Sequence, residues 1–488
     1  MHQEEDDFMR RTVTMNMTEG RPLALLAVFA LPLLIGNLFQ QAYNLADSMI
    51  VGRLLGANAL AAVGATGSIS FLFFSLFNGI SGGCGIVTAQ FFGARRENTV
   101  RSCISNSAYI TLASSMLTAI IAFLLVPTVL TWMGTPEEIL PDAITYMRMT
   151  TASVPLVAIY NYASSMQRAM GDSKTPLYFL IVSCVLNVVL DLLFIGTFHM
   201  GVFGAAFATM LSQLLAGLGS LAYAFRSNPY FRMTRQSLAV NPRLILQSLQ
   251  LGLPLALQWG LIAVSTTALQ TFVNSFGPAA MAAYTATTRL EQLVQQPFGS
   301  MSMALSTYAG QNVGAGKPER IRDGLRDSML AMLAVALGMM LMMQLIGNVL
   351  VGLFVHEADV IELGGQALKI TSVFYVFLGI IYVTRGVLNG VGDAFFSLLN
   401  GVVEIAGRVG LPLLLVRVIA PGFWARFEEV LGLHRLMANP PPADVWTIWI
   451  TAGLTWVLAG FFCTMRYLSW KKKAGRSRTA DTVSGDPA

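Results

Sequence analysis

The sequence predicts an all-α polytopic membrane protein with twelve transmembrane helices in two six-helix lobes, related by a pseudo-twofold axis along the membrane normal. Three observations carry this prediction. The chain is 55% hydrophobic and only 12% charged, it contains twelve long apolar runs, and its second half repeats the first at an offset of 221 residues.

Composition excludes a soluble protein. Soluble domains carry about 25% charged residues, so a chain of 488 residues with 12% cannot cover a water-facing surface. The formal net charge of +5 comes from basic residues dispersed between apolar runs, and we expect no nucleic-acid partner. The cysteines form no CxxC pair and are expected to be small core residues. They are Cys84, Cys103, Cys184 and Cys463.

Each apolar run is long enough for a membrane-spanning helix, which needs about 20 mostly apolar residues. The runs are too long for barrel strands. They cover residues 23–50, 59–90, 104–126, 144–166, 176–196, 202–225, 245–273, 280–309, 327–355, 368–390, 395–419 and 446–468.

Basic residues orient these helices, because cytoplasmic loops are enriched in lysine and arginine. The loops after runs two, four, six and eight are basic, whereas those after runs three, five, seven and nine carry no lysine or arginine. We therefore expect a multi-pass membrane protein with both termini cytoplasmic. The loop Pro421–Val445 is an exception, because it should be external but carries Arg426 and Arg435. Its aromatic stretch 423–427 is expected to lie flat on the membrane surface.

These runs set the predicted domain boundaries. An even number of helices per half gives the two halves the same orientation, with a central cleft between them. The polar segment from Ala474 is expected to be disordered. The predicted parts are a cytoplasmic tail 1–22, an N-lobe 23–225, a cytoplasmic linker 226–243, a C-lobe 244–470 and a basic tail 471–488.

The internal repeat singles out two acids. At the offset of 221, Gly56 aligns with Gly277 and Gln90 with Gln311, among other identical pairs. Asp47 aligns near Ala268 and Leu269, and Asp191 aligns with Pro412, so neither acid has an acidic mate. A charge within the bilayer costs roughly 2.5–3.5 kcal/mol on insertion scales. Since the second half lacks these carboxylates, we expect them to serve function rather than folding.

Polar residues line one face of each acid-bearing run. Run one places Asn37, Gln40, Asn44, Asp47 and Ser48 at helical spacing, and run five does the same with Ser183, Asn187 and Asp191. Each aspartate follows an asparagine by three or four residues, so an amide can hydrogen-bond each carboxyl. Two carboxylates in a low-dielectric pocket should share a proton or hold a cation. The alternative is that each acid is an inter-helix hydrogen-bonding residue.

Further polar residues are candidates for a substrate cleft. They are Gln40, Gln258, Glu291, Glu404 and Arg408. Glu404 and Arg408 are four residues apart and, as an alternative, neutralise each other. Pro32 is a candidate hinge, because proline removes a helical hydrogen bond and marks a bend. Its repeat mate Pro254 favours the alternative that the bend belongs to the fold.

Nucleotide-driven transport and enzyme activity are not expected. Gly310–Lys317 resembles a phosphate loop but has the wrong glycine spacing, and Pro318 stands where serine or threonine is required. The histidines are scattered without metal-ligand spacing. We therefore expect no cofactor, no nucleotide and no catalytic residues.

Six short motifs lie along the apolar runs and at their ends. They are Leu31-Pro32, Tyr43–Asp47, Gly52–Gly56, Gln167–Asp172, Asn187–Asp191 and Ala309–Gly316. Together they resemble the multidrug and toxic-compound extrusion (MATE) family, and most closely its bacterial DNA-damage-inducible branch. The resemblance covers roughly residues 22–470.

This resemblance implies two six-helix lobes and antiport of organic, often cationic compounds against protons or sodium. It also implies a first-lobe cation site formed by Asp47, Asn187 and Asp191, with Thr209 as a further ligand. Some relatives bind sodium through acids on runs seven and ten, whereas this chain has Gln258 near the first position and no acid in 368–390.

With this resemblance, the sequence predicts a bacterial inner-membrane exporter of organic, often cationic and apolar compounds. It exchanges them for protons or sodium ions by alternating access of a central cleft and works as a monomer. One alternative is a lipid-linked sugar flippase of the same wider superfamily. A second alternative is a membrane receptor or scaffold that transports nothing.

Overall fold

The computed structural model describes residues 14–274, 276–412, 414 and 443–483, and this part of the chain is all-α. Over its described residues, each of the twelve apolar runs is mainly helical. The first repeat contains α1 Pro22–Leu55, α2 Ala57–Gly93, α3 Glu97–Trp132, α4 Leu140–Ala169, α5 Lys174–Asp191 and α6 Gly201–Ser227. The second contains α7 Pro242–Asn274, α8 Pro278–Gly314, α9 Pro318–Gly352, α10 Ala358–Ser372, α11 Tyr375–Gly390, α12 Ala394–Ile405 and α13 Ala443–Val483.

Fewer helices pass a strict test of length and apolarity than the twelve predicted spans. Among the described residues seven helices pass by length and composition, or eight if the bent pair α10 and α11 forms one span. Polar side chains lower the mean hydropathy of some of the helices that do not pass this test. For example, α8 carries Arg289 and Glu291 in its middle.

Run ten is two helices rather than the single predicted helix 368–390. The break lies between Ser372 and Tyr375, and the two helices meet at 53°. Gln344 of α9 donates to the carbonyl of Lys369 at 2.7 Å, and the Ser372 hydroxyl donates to the same oxygen at 3.0 Å. Two side chains thus bond the Lys369 carbonyl, which would otherwise accept a backbone N–H of the same helix. The helix bends at this point for that reason.

Two helices of corresponding runs contain π-helical turns. The helix α5 passes directly after Asp191 into the π-helix Leu192–Thr197, and α12 passes into the π-helix Ala406–Gly410. A π-turn holds an extra residue and is frequent at functional sites. Apolar periodicity did not reveal either turn.

The structure describes part of each predicted tail. Met17, within the predicted tail 1–22, is fully buried. At the other end α13 continues to Val483, past the predicted C-lobe boundary at residue 470, and the disorder expected from Ala474 stays a prediction. Once a helix is nucleated, each added residue gains a backbone hydrogen bond. The loop Pro421–Val445, with its stretch 423–427, lies outside the described residues up to Pro442.

Contact density divides the described chain into two compact units. The first unit runs through Gly260 and adds Met303–Ile321 and Asn389–Phe395. The second unit holds Leu261–Ser302, Arg322–Leu388 and the described residues from Phe396 onward. The first unit therefore includes short parts of the second repeat.

Within the first unit, the ends of α2 and α8 cross through glycines that are repeat mates. A Cβ on Gly93 would lie 1.9 Å from the carbonyl oxygen of Gln311, and a Cβ on Gly314 would lie 1.7 Å from that of Gln90. Only glycine allows backbones to approach this closely. In each helix, the glutamine backbone thus packs against the glycine of the other helix.

The hydrogen bonds at this crossing follow the same symmetry. The Gln90 side-chain amide donates to the carbonyl of Gly390 at 3.0 Å, and that of Gln311 donates to the carbonyl of Ala169 at 3.1 Å. Both donors and both acceptors are related by the offset of 221 residues. The repeat seen in the sequence is therefore preserved in the contacts of the folded chain.

The turn between α4 and α5 is built from the motif residues Gly171 and Asp172. Gly171 has a φ of +86°, which favours glycine. The Asp172 carboxylate accepts backbone N–H bonds from Lys174 at 3.1 Å and from Thr175 at 3.0 Å. Burial raises the pKa of Asp172, and these hydrogen bonds oppose the rise. This motif therefore starts α5, the helix that carries Asp191.

Candidate cation-binding site

The structure brings the two predicted acids together. The helices α1 and α5 pack side by side, and the carboxyl groups of Asp47 and Asp191 are in hydrogen-bonding contact. Asp191 is fully buried and Asp47 is half-buried. Two ionised carboxylates repel each other and only accept hydrogen bonds, so a proton held between them would stabilise this contact. A cation between the carboxylates would serve the same purpose.

An unused acceptor remains on each acid. The Oδ1 atoms of Asp47 and Asp191 are buried and have no hydrogen-bond partner among the described residues. A buried acceptor without a partner costs roughly 1–3 kcal/mol. These two oxygens are therefore available to a bound proton or metal ion.

Amide and hydroxyl groups continue the site from α5 to α6. With the Asn187 amide oriented to satisfy its neighbours, its nitrogen donates to Asp191 Oδ2 at 2.8 Å. Its oxygen then accepts from the Thr209 backbone N–H at 3.1 Å and from the Thr209 hydroxyl at 3.2 Å. The hydroxyl groups of Thr209 and Tyr43 lie 3.1 Å apart. These contacts form a chain from Tyr43 through Thr209 and Asn187 to Asp191.

Two tyrosines of the site were not among the predicted ligands. Tyr43 precedes Asp47 by four residues and begins the motif Tyr43–Asp47, and these two features were the signals for it in the sequence. Tyr146 of α4 lies near enough to both carboxylates to interact with them electrostatically. Nothing in the sequence points to Tyr146, because its place depends on how α4 packs.

The remaining predicted residues of the first unit lie outside this hydrogen-bonded set. Asn44 is exposed, and its backbone carbonyl accepts the hydroxyl of Ser48 at 2.9 Å. Gln40 is half-buried on α1, and the candidate hinge Pro32 is buried. Gln258 is 2% exposed, and its Nε2 has no hydrogen-bond partner among the described residues.

A separate ionic network lies in the second unit. The two carboxylate oxygens of Glu404 face Arg385 and Arg408, each at 3.6 Å, and the Asn400 amide donates to Glu404 at 3.1 Å. Glu404 and Arg385 are both buried. The alternative of mutual neutralisation between Glu404 and Arg408 therefore holds, with Arg385 as an unpredicted third member.

The other candidates of the second unit are close to this network. Arg408 donates to the hydroxyl of Ser265 at 2.9 Å and to that of Thr266 at 3.2 Å. Glu291 lies beside Thr371 and within electrostatic range of Arg408. These residues share one polar region, but the acids are held apart by guanidinium groups rather than paired as Asp47 and Asp191 are.

The donor set limits what the first-unit site can hold. Among the described residues no group of three or more His, Cys, Asp or Glu side chains has metal-binding proximity. Two carboxylates with amide and hydroxyl oxygens fit a proton or a hard cation bound through oxygen. The site lacks the nitrogen and sulfur ligands that transition metals prefer.

Comparison with known proteins decides the family. The MatE family model matches the chain twice, at residues 32–193 and 254–407. The chain belongs to the MATE family. The two matched segments are the two repeats, and the first contains Asp47, Asn187 and Asp191. As a family member, the chain is a membrane transporter of the multidrug efflux type.

Curated MATE relatives cover most of the chain. It is 32% identical over 378 residues to the "Probable multidrug resistance protein YpnP" of Bacillus subtilis, which covers 77% of this chain and 84% of that protein. It is 22% identical over 388 residues to the "Multidrug export protein MepA" of Staphylococcus aureus, covering 80% and 85%.

Solved MATE structures share the fold. A structure described as MATE in the bent conformation superposes with a TM-score of 0.82 at 23% identity, covering 94% of this chain and 98% of that one. A transporter of the wider MOP superfamily from Pyrococcus furiosus, described as having reversed binding-pocket polarity, also gives 0.82 at 23% identity, covering 93% and 98%.

Proposed function

We propose that this chain is a secondary active antiporter that exports organic, often cationic and apolar compounds across the bacterial inner membrane in exchange for protons or sodium ions. The observation that carries the proposal is the direct contact of Asp47 with Asp191 inside a repeat whose partner lacks both acids. Folding does not require these acids, and their pairing stores one exchangeable positive charge. The names of the curated relatives support a multidrug substrate range.

The proposed cycle couples occupancy of the acid pair to the shape of α1. From the outside, Asp47 and Asp191 take up a proton or a sodium ion, α1 bends at Pro32 and the substrate leaves. At the inside, the ion departs and a new substrate binds. MATE structures described as bent and as straight support a conformational change of this kind. Pro32 lies inside α1 on the same helix as Asp47, so a bend there moves the carboxyl.

The ion gradient supports a useful substrate gradient. When one ion is exchanged for one monovalent cationic substrate, the two charges cancel, so a tenfold ion gradient, worth about 1.36 kcal/mol, sustains about a tenfold substrate gradient. When the substrate is neutral, one charge moving through about 100 mV adds roughly 2.3 kcal/mol, which corresponds to about fiftyfold. The transporter is proposed to work as a monomer with both termini in the cytoplasm.

Dye efflux from proteoliposomes tests this proposal when pH and sodium gradients are imposed separately. We expect uphill movement of a cationic dye under one gradient and collapse of that movement when an ionophore dissipates it. Vesicles without protein and vesicles with equal ion concentrations are the controls. If folded protein in the vesicles drives no uphill transport under either gradient, the result contradicts ion-coupled antiport.

Replacing Thr209 by valine is expected to lower the apparent affinity for the coupling ion by about tenfold. The change removes the hydroxyl that contacts both Asn187 and Tyr43, at 3.2 and 3.1 Å, while keeping the side-chain shape. Loss of a hydrogen bond to a side chain that binds the ion typically weakens ion binding 10- to 100-fold. The measurement is the ion concentration at half-maximal dye efflux. Thr209→Ser keeps the hydroxyl and should resemble the wild type, and an equal loss in both variants would reject the hydroxyl's role.

A further inference from the structure

The described chain begins with a short non-helical segment that is packed into the first unit. We call Thr14–Gly20 the strap. Met17 is 0% exposed and Thr18 is 5% exposed, although the sequence predicts a free polar tail here. Inside the strap, Asn16 Oδ1 accepts the backbone N–H of Thr18 at 2.9 Å and its hydroxyl at 2.7 Å. The strap is thus a shaped element with a buried anchor.

Side chains of the second repeat hold the strap by its backbone. The Met17 N–H donates to Gln311 Oε1 at 2.9 Å, and the Met17 carbonyl accepts from Asn312 Nδ2 at 3.2 Å. Lys317 Nζ donates to the Thr18 carbonyl at 3.0 Å, and Arg320 Nη2 donates to the Gly20 carbonyl at 3.0 Å. The motif with the appearance of a phosphate loop is therefore a receptor for a peptide backbone.

The same strap is bonded to the first repeat. The Met15 N–H donates to the carbonyl of Met170 at 3.2 Å, and a Cβ on Gly171 would lie 2.1 Å from the Met15 carbonyl oxygen. Glu19 pairs with Arg95 at 3.1 Å on the exposed side. The strap therefore joins the second-repeat motif 310–317 to the first-repeat motif 167–172.

Pseudosymmetry shows that the crossing of the helices does not need the strap. The repeat mates of the strap's partners Gln311, Met170, Gly171 and Lys317 are Gln90, Val391, Gly392 and Arg96. These mates line an open cavity of about 350 Å³. The bond from Gln90 to Gly390 nevertheless forms there just as the bond from Gln311 to Ala169 forms beside the strap. The strap is an addition at one of two equivalent places.

We propose that Thr14–Gly20 is a releasable strap that holds the predicted cytoplasmic ends of the two repeats together and leaves its place each time these ends separate. The proposal rests on the alternating access argued above. The bonds from the protein to the strap are made largely by side chains to backbone carbonyls and amides. Water can replace such bonds one by one, so release needs no unfolding of a helix.

The first test measures how accessible the strap is to a thiol reagent. In a Thr18→Cys protein, the new cysteine replaces a 5% exposed side chain, and the native cysteines are buried. We expect slow alkylation at rest and about tenfold faster alkylation during dye counterflow, as for a locally opening segment. Adding Met17→Asp should give fast alkylation at rest, because an ionised carboxylate is strongly disfavoured at a fully buried position. Met17→Leu, which keeps the buried anchor apolar, should stay slow.

The second test locks the strap reversibly. Cysteines at Glu19 and Lys317, joined by a short cleavable cross-linker, tether the strap to the second repeat. Counterflow should stop when the tether forms and return when it is cleaved, and the Glu19→Cys single variant treated alike should keep its rate. The proposal of a releasable strap would be overturned if the tethered protein kept full counterflow. It would also be overturned if Thr18→Cys were alkylated at the same rate at rest and during turnover.

Counterflow separates this proposal from the coupling role of the acids. Exchange of dye down its own gradient needs opening at both ends but no driving ion. If neither ion gradient drives uphill efflux but the tether still stops counterflow, coupling fails and the strap stands. Because the tether acts on folded protein already in the vesicle, a folding defect of Met17→Asp does not affect its outcome.

Discussion

Replacing Asp47 by asparagine is expected to abolish uphill dye efflux while the protein remains in the membrane at its normal level. Asparagine keeps the shape of the side chain and can donate a hydrogen bond to Asp191, so the contact between α1 and α5 survives. It cannot release a proton or offer a charge to sodium. Under a tenfold ion gradient exchanged one for one, the wild type should hold about a tenfold dye gradient, and the variant should hold none. The measurement is the steady dye ratio across proteoliposomes under an imposed ion gradient.

Asp142→Asn is the matched control for this variant. Asp142 is an exposed acid in the first turn of α4, outside the site, and its replacement should leave the dye ratio unchanged. Counterflow should persist in both variants, since it needs no ion. Wild-type uphill efflux by Asp47→Asn would remove the acid pair from the coupling mechanism.

The variant Gly93→Ala is expected to lower stability strongly, although it adds only a single methyl group. Its Cβ would lie 1.9 Å from the backbone oxygen of Gln311, and backbone cannot move aside as a side-chain tip does. Overpacking a core typically costs 1–3 kcal/mol, and a backbone clash of this depth should cost at least about 3 kcal/mol. We expect a large fall in Tm and in the yield of monodisperse protein, measured in detergent by thermal scanning and size-exclusion chromatography.

Gly64→Ala provides the comparison on the same helix. No atom lies within 4 Å of a Cβ at Gly64, and alanine favours helix over glycine by about 0.5–1 kcal/mol. This variant should therefore hold or raise Tm. Equal Tm values for Gly93→Ala and Gly64→Ala would mean that the two helix ends do not cross as closely as described.

The helices were predictable because the bilayer imposes them. A long apolar run in a bilayer becomes helical because its backbone groups must be satisfied internally, and the described parts of the twelve runs are mainly helical. The break in run ten was not predictable. It depends on the side chain of Gln344, which reaches the Lys369 carbonyl from another helix, and sequence spacing contains no trace of that contact.

The first-unit site was partly predictable for a different reason. The absence of acidic mates for Asp47 and Asp191 separated function from fold without any knowledge of packing, and helical spacing added Asn187. The position of Tyr146 near the two acids could not be predicted, because Tyr146 lies on α4, which carries none of the predicted site residues. The π-turn after Asp191 also escaped prediction, since amphipathic patterns assume a constant 3.6-residue period.

The reciprocal crossing of Gly93 on Gln311 and Gly314 on Gln90 has a consequence for the origin of the chain. In an isologous homodimer interface, residue i of one subunit contacts residue j of the other, and residue j of the first subunit contacts residue i of the second. The two repeats of this chain show the same pattern of contacts. Each half of this chain therefore carries a patch complementary to its own duplicate. Duplication and fusion of a six-helix protein that paired with itself through this patch would produce the reciprocal contacts seen here.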